Sequence, residues 1–264
     1  MARIDRSLRF YEEVLGLGYL HYGWWDGEPL GLDGLKAAQH RYAERLADWV
    51  PVGVSTILDV GCGTGGNALL LTGRGYTVEG LSPDPFQEER FTNRTGLPFH
   101  RARFQEFTPK QVYDLVLMSE SSQYVPLDRL FAAVGRAAPG GWLLLSDYFP
   151  LEKDGRPITR SGHRYEDFRA AAAAAGLVVE REEDVTEAVL PTLRYAEDLV
   201  ERYARPTLAL VLDTLAERHP WVLRLARWVL RKRITKILDQ RELIDAEAFR
   251  TAKRYQFFLF RVPG

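Results

Sequence analysis

Between Ser55 and Leu81 the chain reads STILDVGCGTGGNALLLTGRGYTVEGL: a short apolar run, a glycine cluster, apolar residues at helical spacing, then a second short apolar run. Short apolar runs bounded by glycine read as buried strands, and the three- and four-residue spacing between them reads as a helix, which predicts a β-α-β unit. YDLVLM and GWLLLSDYF predict two further strands with LDRLFAAVGRAA as the helix between them. HRYEDFRAAAAAAGLVVEREEDV predicts another helix, a stop at Gly176 and another strand. The alternation specifies an α/β fold, a doubly wound and mostly parallel sheet with helices on both faces.

The pattern differs at the two ends. The first fifty residues are helical and aromatic, with the amphipathic LKAAQHRYAERLADWV closed by Pro51 and Gly53. From about Thr192 to Phe249 the chain is helical and strand-poor, and KRYQFFLFRV then predicts a last strand returning to the sheet. The expected organisation is an N-terminal helical cover over 1–52, an α/β core over 53–190, a helical lid insertion over 191–250 and a final strand over 251–264.

Composition narrows the function classes. A chain of 264 residues accommodates one large domain or one domain with an insertion. A net charge of −1 implies no global attraction to nucleic acid. The single cysteine, Cys62, excludes a disulfide framework and a multi-cysteine zinc site, and no metal site is expected. MARIDRSLRFYEEVLG carries charges where a signal peptide needs an apolar core, and no run approaches the ~18 apolar residues of a membrane span, so a cytoplasmic protein is expected. In HPWVLRLARWVLRKRITKIL, Arg224, Arg227 and Arg231 share one helix face, with Trp221, Leu225 and Val229 on another. Such a helix reads as a lid with a solvated basic face, or as a contact with an anionic membrane surface.

The glycine cluster carries the chemistry. LDVGCGTGG puts Asp59 at the end of the first strand and Gly61, Gly63 and Gly65 in the turn before a helix. A dinucleotide loop has G-x-G-x-x-G spacing and cradles phosphate, which a carboxylate at Asp59 would repel. Asp59 suits a ligand with a positive amino group; a turn without a ligand is the other reading.

ILDVGCGTGG, followed in order by YDLVLMSESSQYV and PGGWLLLSDYF, resembles the class I S-adenosylmethionine-dependent methyltransferases from Thr56 to Phe149. The resemblance implies S-adenosyl-L-methionine as cofactor, S-adenosyl-L-homocysteine as product and a small-molecule acceptor. No N-P-P-Y or D-P-P-Y motif follows the fourth strand, which counts against a nucleic-acid substrate. It places Asp59 near the amino and carboxyl end of the methionine moiety, with Gly61, Cys62, Gly63 and Thr64 along its path. Most of the superfamily ends the second strand in an acid that binds the ribose. Here VEGLSPDPFQ offers Ser82, while Glu79 lies three residues earlier on the opposite strand face and Asp84-Pro85 reads as a helix N-cap with proline behind it. GLSPDPFQ is similar to the G-I-T-L-S-P-x-Q of cyclopropane fatty acid synthases and of tocopherol and sterol C-methyltransferases, which implies Ser82 and Gln87 as the ribose contacts. A simple turn role is the other reading of Ser82. Arg103 stands where many relatives carry an adenine-binding Asp; this leaves adenine to the Phe104 backbone and apolar contacts, or leaves Arg103 simply solvated.

Ligands of open parallel sheets lie beyond the carboxyl ends of the strands. That edge carries Ser119 to Tyr124, Asp147 to Phe149, Asp184 and Thr186. Ser119 is expected at the cofactor. ESSQYV is similar to the E-A-T-C-H and E-S-x-E-H of the sterol and tocopherol enzymes, which makes Glu120 the acidic candidate and puts Tyr124 where they have histidine. Gln123 replaces the glutamate with which cyclopropane synthases hold bicarbonate, which counts against cyclopropanation. Glu120 and Tyr124 are expected as acid/base or orienting groups, and His163 as a further catalytic candidate or a surface histidine. YLHYGWWDG resembles the H-x-G-y-w stretch of the same enzymes, so Tyr22 is expected at the cofactor or the substrate, with ordinary aromatic packing as the other reading. The expected activity is in-line methyl transfer to a small hydrophobic or aromatic metabolite; the alternative is a protein of the same fold that binds the cofactor without turnover.

Overall fold

The computed structural model describes residues 9–218, Trp221 and residues 239–264. Seven strands form one sheet: β1 (Thr56–Val60), β2 (Thr77–Leu81), β3 (Phe99–His100), β4 (Leu115–Ser119), β5 (Trp142–Pro150), β6 (Val178–Asp184) and β7 (Lys253–Arg261). Their order is β3-β2-β1-β4-β5-β7-β6. β1 to β5 pair in parallel, and β7 runs antiparallel between β5 and β6. β1 and β4 are buried on both faces, which is why they read as unbroken apolar runs. The two residues of β3 are too few to show a period.

Helices α1 (Leu32–Ala47), α2 (Gly66–Gly73), α3 (Pro85–Thr95), α4 (Leu127–Ala137), α5 (Tyr165–Ala174), α6 (Thr186–Leu199), α7 (Arg205–Arg218) and α8 (Ala246–Ala252) accompany the sheet. Asp84 caps α3 as expected, accepting from the Phe86 amide at 2.8 Å with Pro85 at the first helical position. Two cores result. One face of the sheet packs on Tyr42 and Leu46 of α1, Val189, Leu190 and Leu193 of α6, and Phe249 of α8. The other packs on Leu130, Phe131 and Val134 of α4 and Phe168 of α5. The helical segment before β7 starts at Thr186 and continues from α6 through a π-helical turn, Val200–Ala204, into α7. Arg224, Leu225, Arg227, Val229 and Arg231 lie outside the described residues. Among the described residues no helix is long and apolar enough to cross a membrane.

Asp114 fixes the start of the β1–β4 pairing. Its Oδ2 accepts from the Ser55 amide at 2.9 Å, the Thr56 amide at 2.8 Å and the Thr56 hydroxyl at 2.9 Å. The Ser55 amide first, then those of Thr56, holds the carboxyl below its usual range against the cost of burial. The stability it contributes is therefore present above the ordinary carboxylate pKa and is lost as pH falls through the lowered value. Asp114→Ala should destabilise the fold by ~1–3 kcal/mol at neutral pH. Thermal melts of the two proteins from pH 7 down to pH 3 should converge on the acid side; a gap that widens on acidification would contradict this assignment.

Candidate functional site

The turn after β1 is built by close approach. Gly61, Gly63 and Gly65 have φ of 75°, 56° and 87°, a region side chains rarely adopt. A Cβ on Gly61 would stand 2.3 Å from Ser121 Cβ, so the loops after β1 and β4 press together. Cys62 is buried, and burial followed by the neighbouring Asp59 pushes its thiol pKa well up, which suits a packed loop residue and not a nucleophile.

Strand alternation then collects polar groups at one edge. Ile57, Leu117 and Leu144 face the α1/α6 core, so two residues on, Asp59, Ser119 and Ser146 face the same side at the carboxyl ends of β1, β4 and β5. Asp59 is 1% exposed and its Oδ2 has no partner. Burial pushes its pKa up to about 7. Ser119 Oγ, Ser146 Oγ, Asn67 Oδ1 and His21 Nε2 are also buried without a partner in good hydrogen-bond geometry, although Ser146 and Ser119 lie near enough to the Tyr42 hydroxyl, and Asn67 to His21, to act on their protonation. His21 stacks on Tyr42 with ring centroids 4.1 Å apart, and burial lowers its pKa to about 4. Buried polar groups are ordinarily satisfied, so a cluster of open ones marks a place for a polar ligand or for ordered water.

The other expected cofactor residues flank this cluster. Thr64 Oγ1 accepts from Arg94 at 3.2 Å, and Leu20 lies against Gly63. Ser82 Oγ accepts from the Asp84 amide at 3.2 Å, a turn role, while Gln87 Oε1 is buried and unpaired. Phe104 is buried in the α4/α5 core, and Arg103 is exposed. Glu79 is occupied by His100, Gln111 and Tyr113, in keeping with its expected orientation away from Ser82.

Toward β7, Glu120 is the centre of the second group. Among the described residues it is the only one besides glycine with positive φ, 54°. Its Oε1 accepts from the Tyr22 amide at 2.7 Å and the Tyr255 hydroxyl at 2.6 Å, and Tyr255 in turn meets the Tyr42 hydroxyl at 2.7 Å. Burial raises the Glu120 pKa to about 7 against these two bonds. Tyr22 lies with its ring centroid 6.3 Å from Tyr148, 6.0 Å from Phe249 and 5.6 Å from Tyr255. Tyr124, by contrast, is 78% exposed, and it is Tyr148 that bonds Gln123, at 2.6 Å. His163 bonds the Ser122 carbonyl at 3.0 Å, beside buried Asp147, which accepts from Ser122 Oγ at 2.6 Å. The sequence reading missed Tyr42, Tyr255 and Lys253. The alternation in KRYQFF puts Lys253 and Tyr255 on the face of Phe257, a signal available only once the partner strands are known.

The profile of the family described as "Methyltransferase domain" matches residues 35–228. A 2-methyl-6-phytyl-1,4-hydroquinone methyltransferase from Synechocystis sp. is 27% identical over 175 residues, 58% of this chain and 54% of the relative. The chain spans about half the length of the curated relatives it matches. A geranyl diphosphate C-methyltransferase from Streptomyces coelicolor A3(2), solved with Mg2+, geranyl diphosphate and S-adenosyl-L-homocysteine, superimposes with a TM-score of 0.68 at 20% identity, covering 98% of this chain and 94% of that one. The [4+2]-cyclase SpnF also gives 0.68 at 20% identity, over 97% and 94% of the two chains. These likenesses establish the Rossmann-like class I methyltransferase fold.

Glu120→Gln keeps an acceptor for Tyr22 and Tyr255 but removes an ionisation. Because the raised pKa means that the folded state resists losing the proton, wild-type stability should fall between the ordinary glutamate pKa and about 7. Melts from pH 5 to pH 8 should show the variant gaining on the wild type as pH rises; a constant difference would place the Glu120 charge in water.

Proposed function

As the chain belongs to the methyltransferase-domain family, we propose that it transfers a methyl group from S-adenosyl-L-methionine to a small hydrophobic or aromatic acceptor. The observation that carries this is Asp59 Oδ2, buried and without a partner at the glycine turn. The residues present fit the cofactor. Asp59 and Ser119 would hold its amino end, the glycine turn would admit its backbone, and Gln87 Oε1 would accept from a ribose hydroxyl. Ser82 already accepts from the Asp84 amide, and its hydroxyl proton is left to donate to the ligand. The Tyr22 ring, on the strap that bonds Glu120, would meet the sulfonium, which is attracted to aromatic faces.

When bound, the cofactor supplies a methyl group on an already activated leaving group, so alignment provides much of the rate. Glu120 is the acid/base or orienting group, with its Oε1 held by Tyr22 and Tyr255 and its pKa near neutrality. His163 and Tyr124 stand further out, on the Asp147 side and at the surface. Tyr22 and Tyr148, backed by buried Phe249, form an aromatic surface that suits a hydrophobic acceptor, as does the hydroquinone in the name of the Synechocystis relative. Binding without methylation is the second reading, and it is separated from the first by whether turnover accompanies binding.

Calorimetric titration with S-adenosyl-L-homocysteine should give micromolar binding. Asp59→Ala should weaken it by about ten- to a hundredfold, the worth of a ~1.5–3 kcal/mol charge-assisted bond. Unchanged affinity would remove Asp59 from the site. The double variant Ser82→Ala, Gln87→Ala should also bind more weakly; a silent pair would move the ribose contact elsewhere. Tight binding with no methyl transfer to phenols, carboxylic acids, amines or alkenes would select the second reading.

A further inference from the structure

Among the described residues, Lys253 is the strongly shifted cation beside Glu120 and Tyr148, and the assignments above leave it unused. It opens β7 opposite Pro150, the last residue of β5, beyond the level at which β4 ends. It is 4% exposed. Its Nζ donates to Ser161 Oγ at 3.1 Å and lies 3.9 Å from the centroid of the Tyr148 ring and 5.6 Å from that of Phe249. An ammonium has three donors, and among the described residues Ser161 takes one of them. Among the described residues no carboxylate pairs with it directly.

Three charged groups act on this amine. Burial disfavours its protonated form and Lys153 adds to that effect, and together they outweigh Asp147 and Glu120, which favour protonation, bringing the pKa down to about 7. Lys253 is therefore divided between amine and ammonium near neutrality, against the Tyr148 and Phe249 rings. Tyr22, Tyr148, Gln123, Glu120 and Ser161 around it are half-buried, so the cluster reaches the protein surface along this edge. A fully buried lysine that served only to cap Ser161 would carry a large desolvation cost for one neutral hydrogen bond. A ligand oxygen taking the remaining donors would offset that cost.

We propose that Lys253 Nζ binds the acidic oxygen of the acceptor, so that this site takes an aromatic molecule carrying an acidic hydroxyl, its ring lying along Tyr22 and Tyr148. The inference rests on the methyltransferase reading and specifies its acceptor. The amine takes the hydroxyl proton and the resulting ammonium holds the oxyanion. An oxygen lone pair then forms the bond to the methyl carbon as the carbon–sulfur bond breaks, its electron pair passing to sulfur to leave a neutral thioether. The ammonium returns its proton to solvent.

The test uses 4-nitrophenol, whose ionisation is visible by absorbance, and its methyl ether 4-nitroanisole, with the full chain saturated with S-adenosyl-L-homocysteine. The wild type should bind 4-nitrophenol as the phenolate, with a bound pKa below that of the free phenol, because a cation favours the anion. Lys253→Met should weaken this binding by about ten- to a hundredfold and abolish the shift, while leaving 4-nitroanisole binding and S-adenosyl-L-homocysteine binding unchanged. Lys253→Arg should retain the shift. The wild-type titration requires no variant, so poor folding of Lys253→Met would still leave a decisive result. Equal affinity for phenol and ether, no binding of 4-nitrophenol at millimolar concentration, or an unaltered shift in Lys253→Met would each overturn the assignment. Failure of the wild type to bind S-adenosyl-L-homocysteine is a separate result, and it would fall on the methyltransferase reading instead.

Discussion

One carboxylate oxygen holds the acceptor side together. Glu120 Oε1 receives the Tyr22 amide from 98 residues away and the Tyr255 hydroxyl from 135 residues away. It thereby ties the N-terminal strap, the end of β4 and the inserted β7 at a single point. The backbone turns sharply to deliver it: Glu120 takes a positive φ, and its amide donates to the Ser146 carbonyl at 2.7 Å. Such a conformation costs of order ~1–3 kcal/mol and persists where the surroundings over-determine it. The bonds from Tyr22 and Tyr255, with Tyr42 behind Tyr255, are those surroundings.

This arrangement divides the edge of the sheet into two electrostatic regions. Toward β1, the protein leaves Asp59, Ser119 and Ser146 buried and open, a region that a cationic or hydrogen-bonding ligand would complete. Toward β7, polar groups are largely satisfied by one another: Tyr42 with Tyr255, Tyr148 with Gln123, Asp147 with Ser122. Burial brings the pKa values of Glu120 and Lys253 both close to neutrality, from opposite ordinary values.

Much of the fold could be read from local pattern. The β-α-β unit, the glycine turn and the capped helix after β2 each depend on residues within a few positions of one another, where period and backbone freedom act directly. Glu79 was readable as facing away from Ser82 for the same reason, strand alternation. The acceptor side was less legible. Tyr124 stood in line with a catalytic position by motif, yet the short helical turn Ser122–Tyr124 carries its ring into solvent. Tyr255 and Lys253 sit in a strand that is otherwise a run of core residues, and nothing nearby in sequence distinguishes them from the edge of a hydrophobic strand.

What the sequence by itself determined is thus the class of sheet, the turn at Asp59 and the family to which they belong, because apolar period, glycine and proline act over short distances. The placement of β7 antiparallel between β5 and β6 was decided only in three dimensions. That placement alone sets Tyr255 on Glu120 and Lys253 over Tyr148, since such contacts depend on which strand lies beside which. No local pattern of residues encodes that choice; it follows from how the whole chain buries its apolar faces.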